Sequence, residues 1–273
     1  MDGGAEGGGS ARVSVAVMAH PKRAVWAEAL AEQLQCQVVW DRRNNVWDTA
    51  TRAWESHDPL ATHHLVVQDD ALLCSNLLAA LPAIAEARPT SLISLMVSDP
   101  KFKPADLRRY QAALAAGERW VPVWRGLPGV ALMLTVRDIP AMLKFGHRDG
   151  SPHDDVKIMS FYRSRQLPAW YTVPSLVQHR DQSENPSLVS PDKGWRPRMS
   201  SSWVGPDFDA ATLEWGVPSS VDPFAPRAFV NAQTGRFVIV TSAAQGVEME
   251  RSARWVEVDL QAEQVASQDV RRA

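Results

Sequence analysis

Two pairs of adjacent aspartates and one histidine carry the strongest chemical signal in the chain: Asp69–Asp70 in HHLVVQDDALLC, Asp154–Asp155 in SPHDDVK and His179 in PSLVQHRD. Leu65, Val66 and Val67 form an apolar run directly before the first pair. Carboxylates at the end of such a run are costly unless a cation, a set of N–H donors or water meets them. One answer is a divalent ion. Mn²⁺ or Mg²⁺ takes oxygen ligands, and Mn²⁺ also accepts imidazole. Asp70 with His179 would then be a partial ligand set that a diphosphate completes. Asp154 or Asp155 would serve as general base toward an acceptor hydroxyl. Asp154 is the better placed of the two to cap a following helix, so Asp155 is the preferred base. The plainer alternatives stay open: Asp69–Asp70 as the cap of a helix expected at 75–87, and His179 as a surface histidine.

The elements that must position these groups alternate. Residues 12–20 read as an apolar strand ending in a turn at His20–Pro21, and 23–35 carries helical spacing through Val25, Ala29, Leu30 and Leu34. A second strand at 36–41 closes on Asp41, a helix follows at 46–57, and the third strand ends at Gln68–Asp69–Asp70. After the helix at 75–87 come a fourth strand (91–98), a basic helix (101–120), a strand at 130–136, a short helix from Ile139, the helix led by HDD, and a strand bearing His179. Alternation of this kind predicts an α/β domain with a mostly parallel sheet flanked by helices. Ligands in such sheets bind at the carboxyl ends of the strands, where His20, Pro21, Asp41, Asp69 and Asp70 all fall.

The 273 residues are 45% hydrophobic and 22% charged, with a formal net charge of −2, which gives no global attraction to nucleic acid or anionic membrane. Cys36 and Cys74 lie in expected strands, which argues for a reducing compartment rather than a disulfide framework. No apolar run approaches the length of a membrane span. The expectation is therefore a cytoplasmic protein, with no membrane and no obligate protein partner. Residues 1–11 read as a disordered tail, 12–200 as the α/β domain, 201–225 as a linker, 226–262 as a small β-rich module and 263–273 as a second tail.

In order and spacing these motifs resemble the GT-A glycosyltransferases, the texture being that of lipopolysaccharide- and collagen-type galactosyltransferases and of phage and actinobacterial enzymes. In that family a strand ends in an acidic triplet, here QDD. A later acidic pair supplies the base, here HDD, and a final P-S-L-V-x-H strand brings a histidine to the metal. The resemblance spans roughly residues 12–190. It implies a metal-dependent, inverting transfer of a sugar from a UDP-sugar to a hydroxyl, with Mn²⁺ or Mg²⁺ held by Asp70 and His179. DRRNNVWDTATRAW resembles the loop and helix that hold the nucleotide diphosphate, which makes Asp41, Arg43 and Arg52 donor-site candidates beside His20, Pro21, Arg23, Gln68 and Asp69. Arg23 and Arg52 are the types that clamp phosphate, and a solvated helix face explains each equally well. Gln68 departs from the pattern: it stands where many relatives carry an acid, and it supplies no charge.

The tail segment FVNAQTGRFVIV…MERSARWVEVD resembles small terminal segments of actinobacteriophage proteins. That implies a host-cytoplasmic enzyme with hydroxymethylated phage DNA as acceptor. Arg108 and Arg109 in the basic stretch 101–125, with Trp124, are the matching acceptor candidates, while a solvated helix face for the arginines and core packing for Trp124 stay open as the plainer readings. Two other classes remain open. A nucleotidyltransferase uses a similar sheet but would carry a glycine- and arginine-rich loop after the first strand, where this chain has AHPKRA. A non-catalytic phage binding or structural protein on the same fold would lack nucleotide binding.

Overall fold

The apolar runs become strands, and the helices between them turn their apolar sides onto the sheet. The structure, a computed structural model, describes residues 10–98, 104–124, 126–180, 199–216, 227–231, 233–234, 237–240 and 255–258. In chain order the first half holds β1 (Val13–Ala19), α1 (Ala24–Leu34), β2 (Gln37–Trp40), α2 (Val46–Glu55), β3 (His63–Gln68), β4 (Ala71–Leu73), α3 (Leu77–Ala87) and β5 (Leu92–Ser94). Then come α4 (Pro104–Ala115), β6 (Trp120–Val123), β7 (Ala131–Thr135), α5 (Ile139–Gly146), α6 (Asp154–Ser164), β8 (Ala169–Thr172) and β9 (Val177–His179).

Seven of these strands form one sheet in the order β2-β1-β3-β7-β5-β8-β6. β1 pairs in parallel with β2 and β3, and β5 with β8, while β7 runs antiparallel to both β3 and β5, and β6 to β8. Five strands therefore point one way, and only β7 and β6 run against them. The expected mixed α/β architecture with a mostly parallel sheet is what the chain adopts. Its two faces are separate cores that follow the two-residue period of the strands. Leu65, Val67 and Met133 pack with α1 and α3, whereas Val66, Leu132 and Leu134 pack with α2, α5 and α6.

The small sheet matters most for the site. β4 pairs antiparallel with β9, with Ala71 opposite His179. The single strand expected to bear His179 is thus two strands, β8 and β9, and the second crosses the carboxyl edge of the main sheet to reach the chain just after Asp70. The stretch 201–216, expected as linker, is packed instead. Ala210 and Trp215 are buried in the core, the Trp215 carbonyl accepts from Trp120 Nε1 at 2.9 Å, and Ser75 bridges to Asp209. Its apolar residues Val204, Phe208 and Leu213 close the same cluster, which is why a stretch with turn-rich composition is held against the sheet. Further on, β10 (Arg227–Asn231), β11 (Phe237–Val240) and β12 (Trp255–Val258) form a separate three-stranded antiparallel sheet in the order β11-β10-β12. Of the tail expected over 1–11, residues 1–9 lie outside the described residues, as does the second tail at 263–273. Ala11 is buried in the core and its N–H donates to Glu86 Oε1 at 2.9 Å, so the ordered domain starts before residue 12. Among the described residues no helix is long and apolar enough to cross a membrane. Both cysteines are free thiols, and burial pushes Cys36 up to about 11 and Cys74 to about 12.

One buried group on β3 makes the fold sensitive to acid. His64 is fully buried, with Nδ1 2.8 Å from Ser14 Oγ and Nε2 3.0 Å from the Ala53 carbonyl. A carbonyl can only accept, so Nε2 carries the hydrogen and Nδ1 accepts from the serine hydroxyl. Burial, only partly offset by the bond to Ala53, lowers its pKa to about 4. The unfolded chain binds a proton near pH 6.5 that the folded chain refuses. Stability is therefore complete above pH 6.5 and falls as pH drops from 6.5 toward 4, by on the order of 3 kcal/mol at most. Urea unfolding across that range should show the loss in the wild-type chain and a flatter profile in His64→Asn. Parallel profiles would refute the assignment.

Candidate functional site

Asp69 and Asp70 sit where β1 and β3 run out. The Asp69 N–H still donates to the Met18 carbonyl of β1 at 3.1 Å, so the pair is fixed by the last rung of the ladder. The first strand ends in a 3-10 turn at Pro21–Arg23, started by Pro21 and capped by His20, whose Nδ1 accepts from the Lys22 N–H at 3.1 Å. That turn aims two donors back at the acids. The His20 N–H donates to Asp69 Oδ2 at 2.7 Å, and Arg23 Nη1 bridges Asp69 Oδ1 at 2.9 Å and Asp70 Oδ2 at 2.7 Å.

β9 closes the other side. The Arg180 N–H donates to the Asp70 carbonyl at 2.9 Å, and His179 Nε2 lies 3.3 Å from Asp70 Oδ2. His179 Nδ1 is 2.9 Å from the Arg180 carbonyl and so donates there, and the ring pairs with Asp70 when protonated. Both acids are buried, at 4% and 5% exposure. Burial raises the Asp69 pKa first, the neighbouring Asp70 charge adds to it, and Arg23 and the His20 N–H pull it back without cancelling the rise. The helix-cap alternative falls away, because α3 begins seven residues beyond Asp70 with Asn76 at its N-cap. The pair holds a charge network instead.

The second acidic pair arrives beside the first. α6 starts at Asp154 with His153 as N-cap, so Asp154 and Asp155 both occupy the first turn, where the helix dipole favours negative charge. Asp154 is buried and Asp155 half-buried. Gly129 lies between this turn and the end of β3. A Cβ there would stand 3.0 Å from Gln68 Nε2, 3.3 Å from Asp155 Cβ and 3.6 Å from Asp154 Oδ1. The backbone passes through the gap because it carries no side chain. Behind it, buried Lys157 donates to the Gly146 carbonyl at 2.7 Å and to the Asp149 carbonyl, and lies 5.1 Å from the Trp47 ring centroid. It pins the loop that delivers HDD. Gly129→Ala is expected to cost about 1–2 kcal/mol and to displace Gln68 and Asp155. Binding of inorganic pyrophosphate at this edge should weaken by more than the stability loss accounts for, as parallel unfolding and titration measurements would show. Equal, small losses in both would mean the gap has no role.

The remaining candidates are placed less centrally. Asp41 accepts from the Arg43 N–H at 2.9 Å and the Asn45 N–H at 3.4 Å. Burial pushes its pKa up, but these loop donors outweigh that and leave it lowered. It organises its own turn. Arg43 is exposed and pairs with Asp48 at 3.1 Å. Arg52 pairs with the same carboxylate at 3.1 Å and donates to the Trp40 carbonyl at 2.9 Å, closing the end of β2. Arg108 and Arg109 ride on α4, which packs against β6. β6 is four strand places from β3, about 19 Å at normal inter-strand spacing. Trp124 follows Val123, whose sheet partner is Ala169 at the start of β8, so it leaves the sheet at the end away from the carboxylates and is 6% exposed. It fills core. The structure thus joins His20, Pro21, Arg23, Asp69, Asp70 and His179 directly, brings Gln68, Asp154 and Asp155 alongside, and leaves Arg108, Arg109 and Trp124 apart.

Asp70 and His179, the residues expected to hold a divalent ion, stand together as a set of two. Among the described residues no group of three or more His, Cys, Asp and Glu is arranged to hold one. Asp70 Oδ2, the atom facing His179, already meets the Arg23 guanidinium, and both Asp69 oxygens accept from Arg23 and His20. The Arg23 guanidinium thus shares with His179 the Asp70 oxygen that faces it. Gly129, Lys157 and Arg180 are the site residues that sequence reasoning passed over. The only sequence signals were the glycine before a strand in GLPGV and the arginine directly after PSLVQH.

No protein-family model matches the chain, and no curated protein matches it. Among solved structures, the inositol-1-phosphate CTP transferase from T. maritima aligns at a TM-score of 0.32 and 8% identity, covering 69% of this chain and 98% of that one. A likeness of that degree supports no assignment, so the function has to be argued from the site.

Proposed function

We propose that the chain is a glycosyltransferase on a GT-A-like scaffold, taking a nucleoside-diphosphate sugar, with UDP as the first nucleotide to test, and passing the sugar to a hydroxyl. One observation carries this reading: the buried Asp69–Asp70–Arg23–His179 network meets the acidic first turn of α6 across Gly129, at the carboxyl ends of β1 and β3. Open α/β sheets bind their ligands at that edge. Cationic groups on one side suit a diphosphate, and a carboxylate on the other suits an attacking hydroxyl.

In the reaction the acceptor oxygen bonds to the anomeric carbon as the bond to the diphosphate oxygen breaks. Asp155 takes the hydroxyl proton, and the electron pair leaves with the nucleoside diphosphate. A single displacement inverts the anomeric centre. Arg23, with His179 beside it, offsets the charge gathering on the leaving group. Gln68, at the end of β3, would hydrogen-bond a sugar or ribose hydroxyl through its amide. No step is assigned to a metal.

The test is a thermal-shift panel of nucleoside diphosphates followed by transfer of labelled sugar. UDP is expected to raise the melting temperature, since a ligand bound only by the native chain stabilises it. Hydroxymethylated DNA, protein and glycan acceptors are then compared. No response to any nucleoside diphosphate would remove the donor assignment and favour a binding protein. Transfer to glycan or protein but not to DNA would remove only the DNA acceptor.

A further inference from the structure

Arg180 is joined to the acidic network by its main chain alone. Its N–H bonds the Asp70 carbonyl, and its own carbonyl holds His179 Nδ1. The side chain turns elsewhere. Its guanidinium carbon lies 4.8 Å from the ring centroid of Trp26, and its Nε is buried with no hydrogen-bond partner. Neither a hydrogen bond nor an ion pair from this guanidinium falls among the described residues. Trp26 is half-buried on α1, three residues after Arg23 and so on the same side of the helix start.

An arginine presents five N–H donors, and a ring face satisfies none of them as a hydrogen-bond acceptor would. A buried donor left unmade calls for an explanation. Asp69 and Asp70 do not supply one, because their carboxylates already meet Arg23, His20 and His179. The carboxylates are thus met by Arg23 and an imidazole, and the Arg180 guanidinium stands over Trp26 with its Nε unpartnered.

We infer that Arg180, stacked on Trp26, is an anion-binding residue of this site, and that it takes the diphosphate of the donor. The inference rests on the donor class proposed above and adds the group that holds it. The planar fork of a guanidinium matches two phosphate oxygens at once, and stacking fixes the plane of that fork before the ligand arrives. Positive charge for the diphosphate then comes from side chains, so binding proceeds with no divalent ion.

The experiment is calorimetric titration of the full chain with inorganic pyrophosphate in excess EDTA, for wild type, Arg180→Ala, Arg180→Lys and Trp26→Ala, each with its melting temperature. Wild type is expected to bind without added metal. Arg180→Ala should weaken binding at least tenfold with little change in melting temperature. Arg180→Lys should lose most of that affinity while keeping the charge, because the fork is gone, and Trp26→Ala should lose less. Binding that appears only when Mn²⁺ or Mg²⁺ is supplied, or an Arg180→Ala chain that binds like wild type, would overturn the inference. UDP-sugar turnover separates the two readings. Pyrophosphate binding that depends on Arg180, in a chain that consumes no donor, removes the donor class and keeps the anion site. Donor consumption untouched by Arg180→Ala removes the anion site and keeps the donor class.

Discussion

Arg23→Met is expected to lose about 3–5 kcal/mol of stability at pH 8, because it strands two buried carboxylates that share one guanidinium. Arg23 is 13% exposed in its side chain and Asp69 and Asp70 6% each, so water cannot take over the pairing. The loss should depend on pH in a fixed direction. Asp69 is already shifted upward by burial and by Asp70, and Arg23 opposes that shift. Without the arginine the folded chain holds protons that the unfolded chain releases. Its stability then falls as pH rises through the folded pKa and recovers as pH falls toward 5. Urea unfolding at pH 8 and pH 5 should show the deficit against wild type shrinking at the lower pH. A deficit of equal size at both values would mean that lost packing, not stranded charge, is responsible.

Asp155→Asn is expected to lower transfer by about 10²–10⁴-fold while leaving nucleoside-diphosphate binding within a factor of about two. An amide oxygen keeps the shape and cannot take the hydroxyl proton. Asp154→Asn is the paired control, since the two acids sit side by side in the first turn of α6. Steady-state transfer and calorimetric binding of UDP decide between them. Full activity in Asp155→Asn with loss in Asp154→Asn would move the base to Asp154. Full activity in both would leave the reaction without a base on this helix.

Much of the architecture is legible in local pattern. The apolar runs of β1 and β3, the Asn45 side chain that caps α2 and the acidic start of α6 are short-range features, and each forms where its residues point. What the pattern hides is set by partners far along the chain. β4 is three residues long and reads as part of a helix approach, because its partner β9 lies more than a hundred residues later. β6 carries Pro122 and is a strand only because it lies at the sheet edge, where a missing N–H donor costs nothing. The stretch 201–216 has loop composition and becomes ordered by docking Ala210 and Trp215 into a core built elsewhere. The site follows the same rule. The two acidic pairs and His179 are visible as residue types, yet Arg23 reads as a phosphate clamp until the structure shows it bound to Asp69 and Asp70. Arg52 and Asp41, with equal claims from their types, are drawn into the β2–α2 loop by neighbours within twelve residues.

The pairing of β4 with β9 also sets a clock. On a growing chain Asp69 and Asp70 are made long before His179 and Arg180, and at ordinary elongation speeds the interval is roughly 5–20 s. Through that interval the acids have only upstream partners, Arg23 and the His20 N–H. The imidazole and the last arginine reach them once β9 has emerged and zipped onto β4. A nascent chain stalled before residue 177 carries most of the sheet and an incomplete network, so competence for an anionic ligand arrives as one of the last events in making the domain.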